Sequence, residues 1–198
     1  MSQLVFFDEG HTYELDSVQI PSVSEVTRFL SREVYGDVQQ FRLDHAAARG
    51  TKIHKLTEAL DKYGEIEADA ESLPYIKAYL KFRQEHDVQW EEIEKPRFHP
   101  DGLYAGTVDR MGTIDGRRGI VDIKNSYRVH KPLYEAAQNL YRMTYDPGFI
   151  EVLYILHLKP DETYRLIELP IRDDLALACL TLHQATAKKR RKKKEETK

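Results

Sequence analysis

The strongest indication of chemistry in this chain is a pair of aspartates, Asp109 and Asp122, in neighbouring segments of alternating apolar residues. The alternation predicts two β-strands, and Asp115-Gly116 between them is typical of a two-residue hairpin turn. With this turn, residues at equal distances from it pair across the hairpin, so Asp109 lies opposite Asp122. Opposed side chains on an antiparallel pair lie about 5 Å apart, and like charges there are destabilising. The pattern therefore predicts a cation between the two carboxylates.

Lys124 is predicted to lie beside this pair. Side chains alternate between the two faces of a strand, so Lys124 shares a face with Asp122 while Ile123 points into the core. Two carboxylates, a hard metal ion and an adjacent ammonium group suit attack on a phosphodiester. The prediction depends on the turn, because a loop lengthened through residues 117–119 would shift the register.

The segment of the chain that precedes the hairpin contains three more residues whose side chains can bind cations. His54 and Glu58 are four positions apart in a predicted helix, so they share one face and could both point at a metal ion. On its own, such a pair is more often a solvated surface pair. Glu94 lies in the charge-rich segment 91–95 of the preceding strand. The favoured interpretation is that Glu94 is one of several surface charges in this segment.

A helix predicted over residues 131–145 follows the hairpin and carries a polar and aromatic stripe. Its members recur at steps of three and four residues: Tyr134, Gln138, Tyr141, Arg142 and Tyr145. Bases stack on tyrosine, while arginine and glutamine bind phosphate or sugar, so the stripe suits single-stranded nucleic acid. An amphipathic helix with half-buried tyrosines explains the same pattern, and the sequence leaves both interpretations open.

The elements that position these residues are predicted from periodicity, caps and turn residues. Their order predicts an α/β protein with a central mixed β-sheet flanked by helices. We expect one domain over residues 1–187, with a β-ribbon and helix in 1–35 and a core over 37–187, and then a basic, disordered tail over 188–198. The predicted elements are a β-ribbon over 3–20, helices over 22–31, 37–49, 52–62, 72–86 and 131–145, strands over 88–98, 103–114, 118–124, 149–158 and 163–169, and a last helix from about 172.

Composition excludes several classes of protein. Of the 198 residues, 41% are hydrophobic and 32% are charged, and no apolar run approaches the roughly 20 residues that span a bilayer. The single cysteine, Cys179, excludes an intramolecular disulfide and a cysteine-bound metal cluster. The first residues carry no export signal, so we expect a cytoplasmic protein.

Charge is distributed unevenly along the chain. The net charge is −3, but residues 188–198 contain eight basic and two acidic residues, so residues 1–187 carry −9. An acidic body does not suit passive binding of nucleic acid. Any polyanion must therefore be attracted locally, by a bound metal ion, by a lined cleft or by the basic segment. The basic segment is either a phosphate tether, which binds through counterion release, or the solvated end of a helix.

Taken together, these motifs resemble the RecB-like branch of the PD-(D/E)xK nuclease superfamily over residues 42–170, most of the chain. An N-terminal His-Thr-Tyr-x-Leu segment also looks like the one that precedes the nuclease core in phage exonucleases and relatives of the mitochondrial genome maintenance exonuclease. The matching signatures are Gly50-Thr-Lys-Ile-His54-x-x-x-Glu58, Ala105-Gly-Thr-Val-Asp109, Ile120-Val-Asp122-Ile-Lys124-Asn-Ser126 and Gln138-x-x-Tyr141.

The resemblance implies a restriction-endonuclease-like core with the order αβββαβ, and it implies a role for each matching residue. The ligands of Mg²⁺ or Mn²⁺ would be His54, Asp109, Asp122 and the Ile123 carbonyl. Lys124 would orient or activate the attacking water, with Glu58 as a further catalytic residue. The family tyrosine usually follows the glutamine by four positions, whereas here Arg142 is in that place. The DNA-binding residues would be Gln138, Tyr141, Arg142, Asn125 and Ser126.

These expectations converge on a metal-dependent deoxyribonuclease. We expect an exonuclease of a phage or mobile element that acts in DNA recombination or repair in a bacterial cytoplasm, with DNA as its partner and a recombination or annealing protein as a further one. A structure-specific endonuclease would use the same site, because a requirement for free ends depends on the shape of the cleft. A non-catalytic nucleic-acid-binding module is the other alternative, although it should have lost Asp122 or Lys124.

Overall fold

The computed structural model of this protein describes residues 2–36 and 39–195. It is an α/β structure in which helices flank a mixed five-stranded sheet, as the sequence predicts, and the β-ribbon expected over residues 3–20 forms a separate antiparallel sheet of three strands. The elements are β1 Leu4–Phe7, β2 Thr12–Leu15, β3 Val18–Ile20, α1 Val23–Val26, α2 Arg28–Tyr35, α3 Gln40–Tyr63, α4 Leu73–Glu85, β4 Val88–Phe98, β5 Ala105–Ile114, β6 Arg117–Lys124, α5 Lys131–Arg142, β7 Val152–Leu158, β8 Tyr164–Leu169 and α6 Asp173–Glu195.

The five-stranded sheet has the order β4-β5-β6-β7-β8 and a core on each face. All neighbouring strands are antiparallel except β6 and β7, which α5 connects as a parallel pair. Helices α3 and α4 pack on one face, where Val121 and Ile123 are buried. Helix α5 packs on the other face, against Ile120. Because β5 and β6 are antiparallel, the first half of β5 lies beside the end of β6, and residues of both line one cleft with residues of α3 and α5.

The hairpin between β5 and β6 has the predicted register. Asp115 and Gly116 both have positive φ, 48° and 80°, as a type I′ turn requires. The strands pair from Ile114 opposite Arg117 at the turn, through the pairs between them, to Arg110 opposite Val121. The longer loop through residues 117–119 does not form, because these residues belong to β6.

Two predicted helix boundaries are wrong. Helix α3 runs through Gly50-Thr51 without a break, because an interior glycine costs a helix only about 1 kcal/mol, less than the packing of its second half contributes. The predicted start of this helix, residues 37–38, lies outside the described residues. The helix predicted over 22–31 divides at Thr27 into α1 and α2, where the Thr27 hydroxyl donates to the carbonyl of Val23, a bond that bends helices.

Helix α6 reaches further than expected. Its backbone is helical to Glu195, so the helix includes most of the segment for which disorder was predicted. Lysine and arginine are good helix formers, and a helix that has already begun adds residues at little cost. Among the described residues, no helix is both long enough and apolar enough to cross a membrane.

Candidate metal centre and its cleft

Three acidic residues form a row across neighbouring strands of the sheet. The pairs Ile93 with Arg110 and Lys95 with Val108 flank Glu94 on β4, so the register places Glu94 opposite Asp109 on β5. The ladder of the hairpin ends with Arg110 opposite Val121, and the same register continued by one residue places Asp109 beside Asp122 on β6. Opposed like charges are destabilising unless a cation separates them. The repulsion among carboxylates on three adjacent strands therefore favours a cation between them.

His54, Glu94 and Asp109 bring their ligand atoms within 4.8 Å of one another and could hold a metal ion. The Nδ1 atom of His54 lies 3.4 Å from Oε1 of Glu94 and 3.6 Å from Oδ2 of Asp109. Sequence reasoning missed Glu94, which it interpreted as a surface charge. The signal was available in the register of β4 on β5, which depends on where the connection between these strands begins and ends.

The His54 ring is oriented by the strand that carries Asp122. Its Nε2 lies 2.9 Å from the carbonyl oxygen of Ile123, and since a carbonyl only accepts, Nε2 is the donor. Nδ1 therefore faces the two carboxylates. Burial lowers the pKa of His54, but Asp109 and Glu94 outweigh it and raise this pKa to about 9. In the metal-free protein the imidazolium is thus the cation of the cluster, and a metal ion must displace its proton.

Asp122 and Lys124 form a buried ion pair next to the cluster. Lys124 Nζ lies 2.7 Å from Asp122 Oδ2, an oxygen that accepts no well-formed hydrogen bond from the described residues. Burial lowers the pKa of Lys124, but the carboxylates of Asp122 and Asp109 outweigh burial and raise it. Burial also raises the pKa of Asp122, as does Asp109. The site therefore has a charged ammonium group paired with a carboxylate, and this carboxylate has lone pairs left for a further ligand.

Asp109 is held at the centre of the row by the neighbouring strand. Its Oδ2 accepts a hydrogen bond of 2.8 Å from the backbone N–H of Ile123. The same residue thus orients both His54, through its carbonyl, and Asp109, through its N–H. The Ile123 carbonyl, which the family resemblance makes a metal ligand, is bonded to the His54 ring in this structure.

Arg110 is a residue of the site that sequence reasoning did not identify. Its side chain is 0% exposed. The guanidinium donates to Asp61 Oδ2 (2.8 Å), to Glu94 Oε1 (3.0 Å) and to Thr57 Oγ1 (3.2 Å). Glu94 itself has a φ of 48°, a left-handed conformation that is uncommon for a residue other than glycine. Arg110 thus connects helix α3 to Glu94, the residue of the cluster with the left-handed backbone conformation.

A cleft of about 880 Å³ opens onto the cluster. Of the predicted DNA-binding residues, Asn125, Ser126 and Tyr141 line this cleft, as does Glu58. Glu58 forms an ion pair with Lys62 at 2.6 Å and is not part of the three-residue cluster. The cleft is also lined by Phe6, Asp8, His11, Lys55, Thr107 and Lys124.

Gln138 and Arg142 are not brought to the cleft. Gln138 is 1% exposed. Arg142 forms an ion pair with Asp173 at the start of α6. Helix α5 is covered on both sides, by the sheet and by α6, so its polar stripe does not face solvent as a whole. The helix ends at Arg142 and not at the predicted residue 145; Tyr134 of α5 and Tyr145 beyond its end are buried against the sheet.

Tyr141 is the member of that stripe that reaches the site. Its ring packs against Gly106, where an added Cβ would lie 2.5 Å from the Tyr141 Cε1 atom. Burial raises the pKa of Tyr141 well above its usual value, and Asp109 and Asp122 raise it further, so the hydroxyl keeps its proton. Tyr141 therefore offers a neutral donor beside the carboxylates.

The sequence matches no protein-family model, and no curated protein matches it significantly. The assignment of a function therefore depends on the geometry of the site.

Proposed function

We propose that this chain is a metal-dependent deoxyribonuclease of the PD-(D/E)xK type, most simply an exonuclease. The observation that carries the proposal is the arrangement of His54, Glu94 and Asp109 around one point, with the Asp122–Lys124 ion pair on the next strand. In this proposal α3, β4–β6, α5 and β7 are the elements of the nuclease core in the order αβββαβ. The resemblance of the motifs to that superfamily supports it.

The donor set fits a hard divalent ion. Three carboxylates supply oxygen ligands, as Mg²⁺ and Mn²⁺ prefer, and the imidazole of His54 favours Mn²⁺ of the two. The carboxylate of Asp122, which is ion-paired with Lys124 at 2.7 Å, has lone pairs left for a metal ion and is a further ligand position next to the cluster. When bound, such an ion acidifies water and polarises a phosphoryl oxygen.

The residues of the chain then have distinct roles. Lys124, kept charged by Asp122 and Asp109, orients the attacking water and stabilises negative charge on the phosphoryl group. Ile123 holds His54 and Asp109 in place through its backbone, and Arg110 holds Glu94. Asn125, Ser126 and Tyr141 provide polar contacts to the nucleic acid along the cleft.

The charge of the body is consistent with metal-dependent recognition. Residues 1–187 carry −9, so the cleft attracts a phosphodiester only where a bound ion or Lys124 offsets the carboxylates. We place the protein in DNA recombination or repair of a phage or mobile element in a bacterial cytoplasm. We propose an annealing or recombination protein as a further partner in this role.

End-labelled linear DNA and covalently closed circular DNA test the proposal, each with Mg²⁺, Mn²⁺ or EDTA. We expect degradation of the linear DNA with either metal, no cleavage in EDTA, and no cleavage by Asp109→Asn. Cleavage of the circle would make the enzyme an endonuclease on the same site. Binding of DNA without any cleavage would favour a non-catalytic module and overturn the proposal.

A further inference from the structure

The N-terminal sheet forms one wall of the cleft, and the residues of this wall have no role in the reaction proposed above. Phe6 on β1, together with Asp8 and His11 in the turn between β1 and β2, lines the same cleft as His54 and Lys124. His11 is exposed, so its ring is accessible from the cleft. This wall is formed by a different part of the chain from α3, which lines the cleft at Gly50 and Lys55.

The imidazole of His11 is held in place by its neighbours. Its Nε2 lies 3.3 Å from the hydroxyl oxygen of Tyr13. The ring centroid is 5.0 Å from that of Phe6, with the planes 79° apart, and 5.7 Å from that of Tyr13, with the planes 89° apart. These edge-to-face contacts fix the plane of the ring. A solvated surface histidine has no such restraint.

Tyr13 connects this ring to the strand that carries Asp109. Its hydroxyl oxygen lies 2.9 Å from Oγ1 of Thr107, two residues before Asp109. Burial raises the pKa of Tyr13, so its hydroxyl keeps its proton. When Thr107 donates to Tyr13 and Tyr13 donates to His11 Nε2, the proton of the neutral imidazole lies on Nδ1. His11 then offers an N–H donor at the edge of the cleft.

The backbone conformation at His11 is unfavourable for histidine, which supports a functional role for its side chain. Its φ is 50°, in the left-handed region, directly after Gly10, which also has a positive φ. The turn is closed by the N–H of His11, which donates to the carbonyl of Asp8 at 3.1 Å. Glycine would adopt this conformation at lower cost than histidine, and unfavourable backbone conformations cluster at functional sites.

We propose that His11 binds a backbone phosphate of the nucleic-acid substrate, on the wall of the cleft formed by the N-terminal sheet. The proposal rests on the proposed nuclease function. An N–H donor suits a phosphate oxygen, and most other charged groups that line the cleft, including Asp8, Glu58 and Glu94, are acidic and repel phosphate. His11 and Lys124 would then hold the strand at two separate points across the cluster.

Two substitutions distinguish phosphate binding from base stacking. His11→Phe keeps an aromatic ring but removes the donor, whereas His11→Asn keeps a donor but removes the ring. We expect His11→Phe to raise the KM for DNA about tenfold, the loss expected for a hydrogen bond to a charged group, with kcat at saturating DNA unchanged. We expect His11→Asn to retain a KM within about threefold of the wild type. Tyr13→Phe, which removes the bond that orients the ring, should have an intermediate KM.

Binding of Mn²⁺, measured by calorimetry without DNA, should be the same in all four proteins, and their melting temperatures identify any variant that fails to fold. A wild-type KM in His11→Phe, or a raised KM in His11→Asn alone, overturns phosphate binding by His11. Weakened Mn²⁺ binding in His11→Phe overturns it as well, because the residue would then act on the metal centre. If the wild type neither binds nor cleaves DNA, the proposed nuclease function itself fails.

Discussion

Replacing Arg110 by methionine should destabilise the protein strongly, because this arginine is the buried partner of two carboxylates. Methionine fills a similar length without a charge. The change leaves Glu94 without its guanidinium partner and removes one partner of Asp61. Breaking a buried ion pair by removing one member costs about 3–5 kcal/mol. Asp61 keeps its bonds from Tyr79 and Arg83, so we expect the lower end, about 3 kcal/mol.

A second arginine of the same hairpin provides the matched control. Arg117 also pairs with a glutamate, Glu168, at 3.0 Å, but both side chains are about half exposed. Pairs of this kind contribute roughly 0–1 kcal/mol, so Arg117→Met should change the free energy of unfolding by no more than that. The comparison separates the loss of a buried pair from the loss of any arginine.

Urea denaturation of metal-free protein in EDTA measures both variants. We expect Arg110→Met to unfold at a much lower urea concentration than Arg117→Met with a similar slope, since the slope follows the surface exposed on unfolding and both variants expose nearly the same surface. Calorimetry should also find weaker Mn²⁺ binding by Arg110→Met, because Glu94 is no longer held. Equal stability of the two variants, together with unchanged Mn²⁺ binding, would refute the role of Arg110.

Three further outcomes follow from the structure. The pKa of His54 is raised from 6.5 to about 9. In the metal-free protein, protonated His54 therefore stabilises the fold by on the order of 3 kcal/mol below pH 6.5, and this stabilisation is lost as pH rises through 9. The free energy of unfolding in urea should differ most between the wild type and His54→Asn below pH 6.5, and the difference should shrink as pH rises through 9. Gly50→Ala should raise the free energy of unfolding by about 0.5–1 kcal/mol, because the added Cβ lies at an ordinary 3.6 Å from Asn125 and alanine favours the helix; a lower melting temperature would contradict this. Deletion of residues 188–198 should raise the KM for DNA at low salt and flatten its salt dependence with kcat unchanged, because each phosphate that the segment no longer neutralises removes about 0.7–0.9 from the log–log slope; an unchanged slope would make the segment a solvated helix end.

The feature near the candidate site that the sequence predicted correctly is the hairpin, because its geometry is local. The Asp115-Gly116 turn needs positive φ at both positions, and this requirement sets the register from Ile114 opposite Arg117 to Arg110 opposite Val121, next to the two aspartates. Glu94 was missed because its pairing depends on the connection between β4 and β5 and on an irregularity between Trp90 and Glu92. Neither has a sequence signature as specific as the turn.

Helix α5 shows a second limit of periodicity. A stripe at steps of three and four residues identifies one face of the helix but not which neighbours cover it. The sheet covers one side of α5 and α6 the other, so Gln138 is buried and Arg142 pairs with Asp173. Similarly, Gly50 predicted a break in α3 because its helix propensity is low, but propensity is a weak term beside tertiary packing.

One titration tests most directly the proposal that DNA cleavage depends on an ion bound at His54, Glu94 and Asp109. Mn²⁺ is added to metal-free protein, and calorimetry and cleavage of end-labelled DNA are measured under the same conditions. The two curves should share a midpoint in the wild type and shift together to higher Mn²⁺ in Glu94→Gln, whereas Glu58→Gln should leave both midpoints unchanged. A cleavage midpoint that stays in place while the binding midpoint moves would contradict the assignment of this cluster as the metal centre.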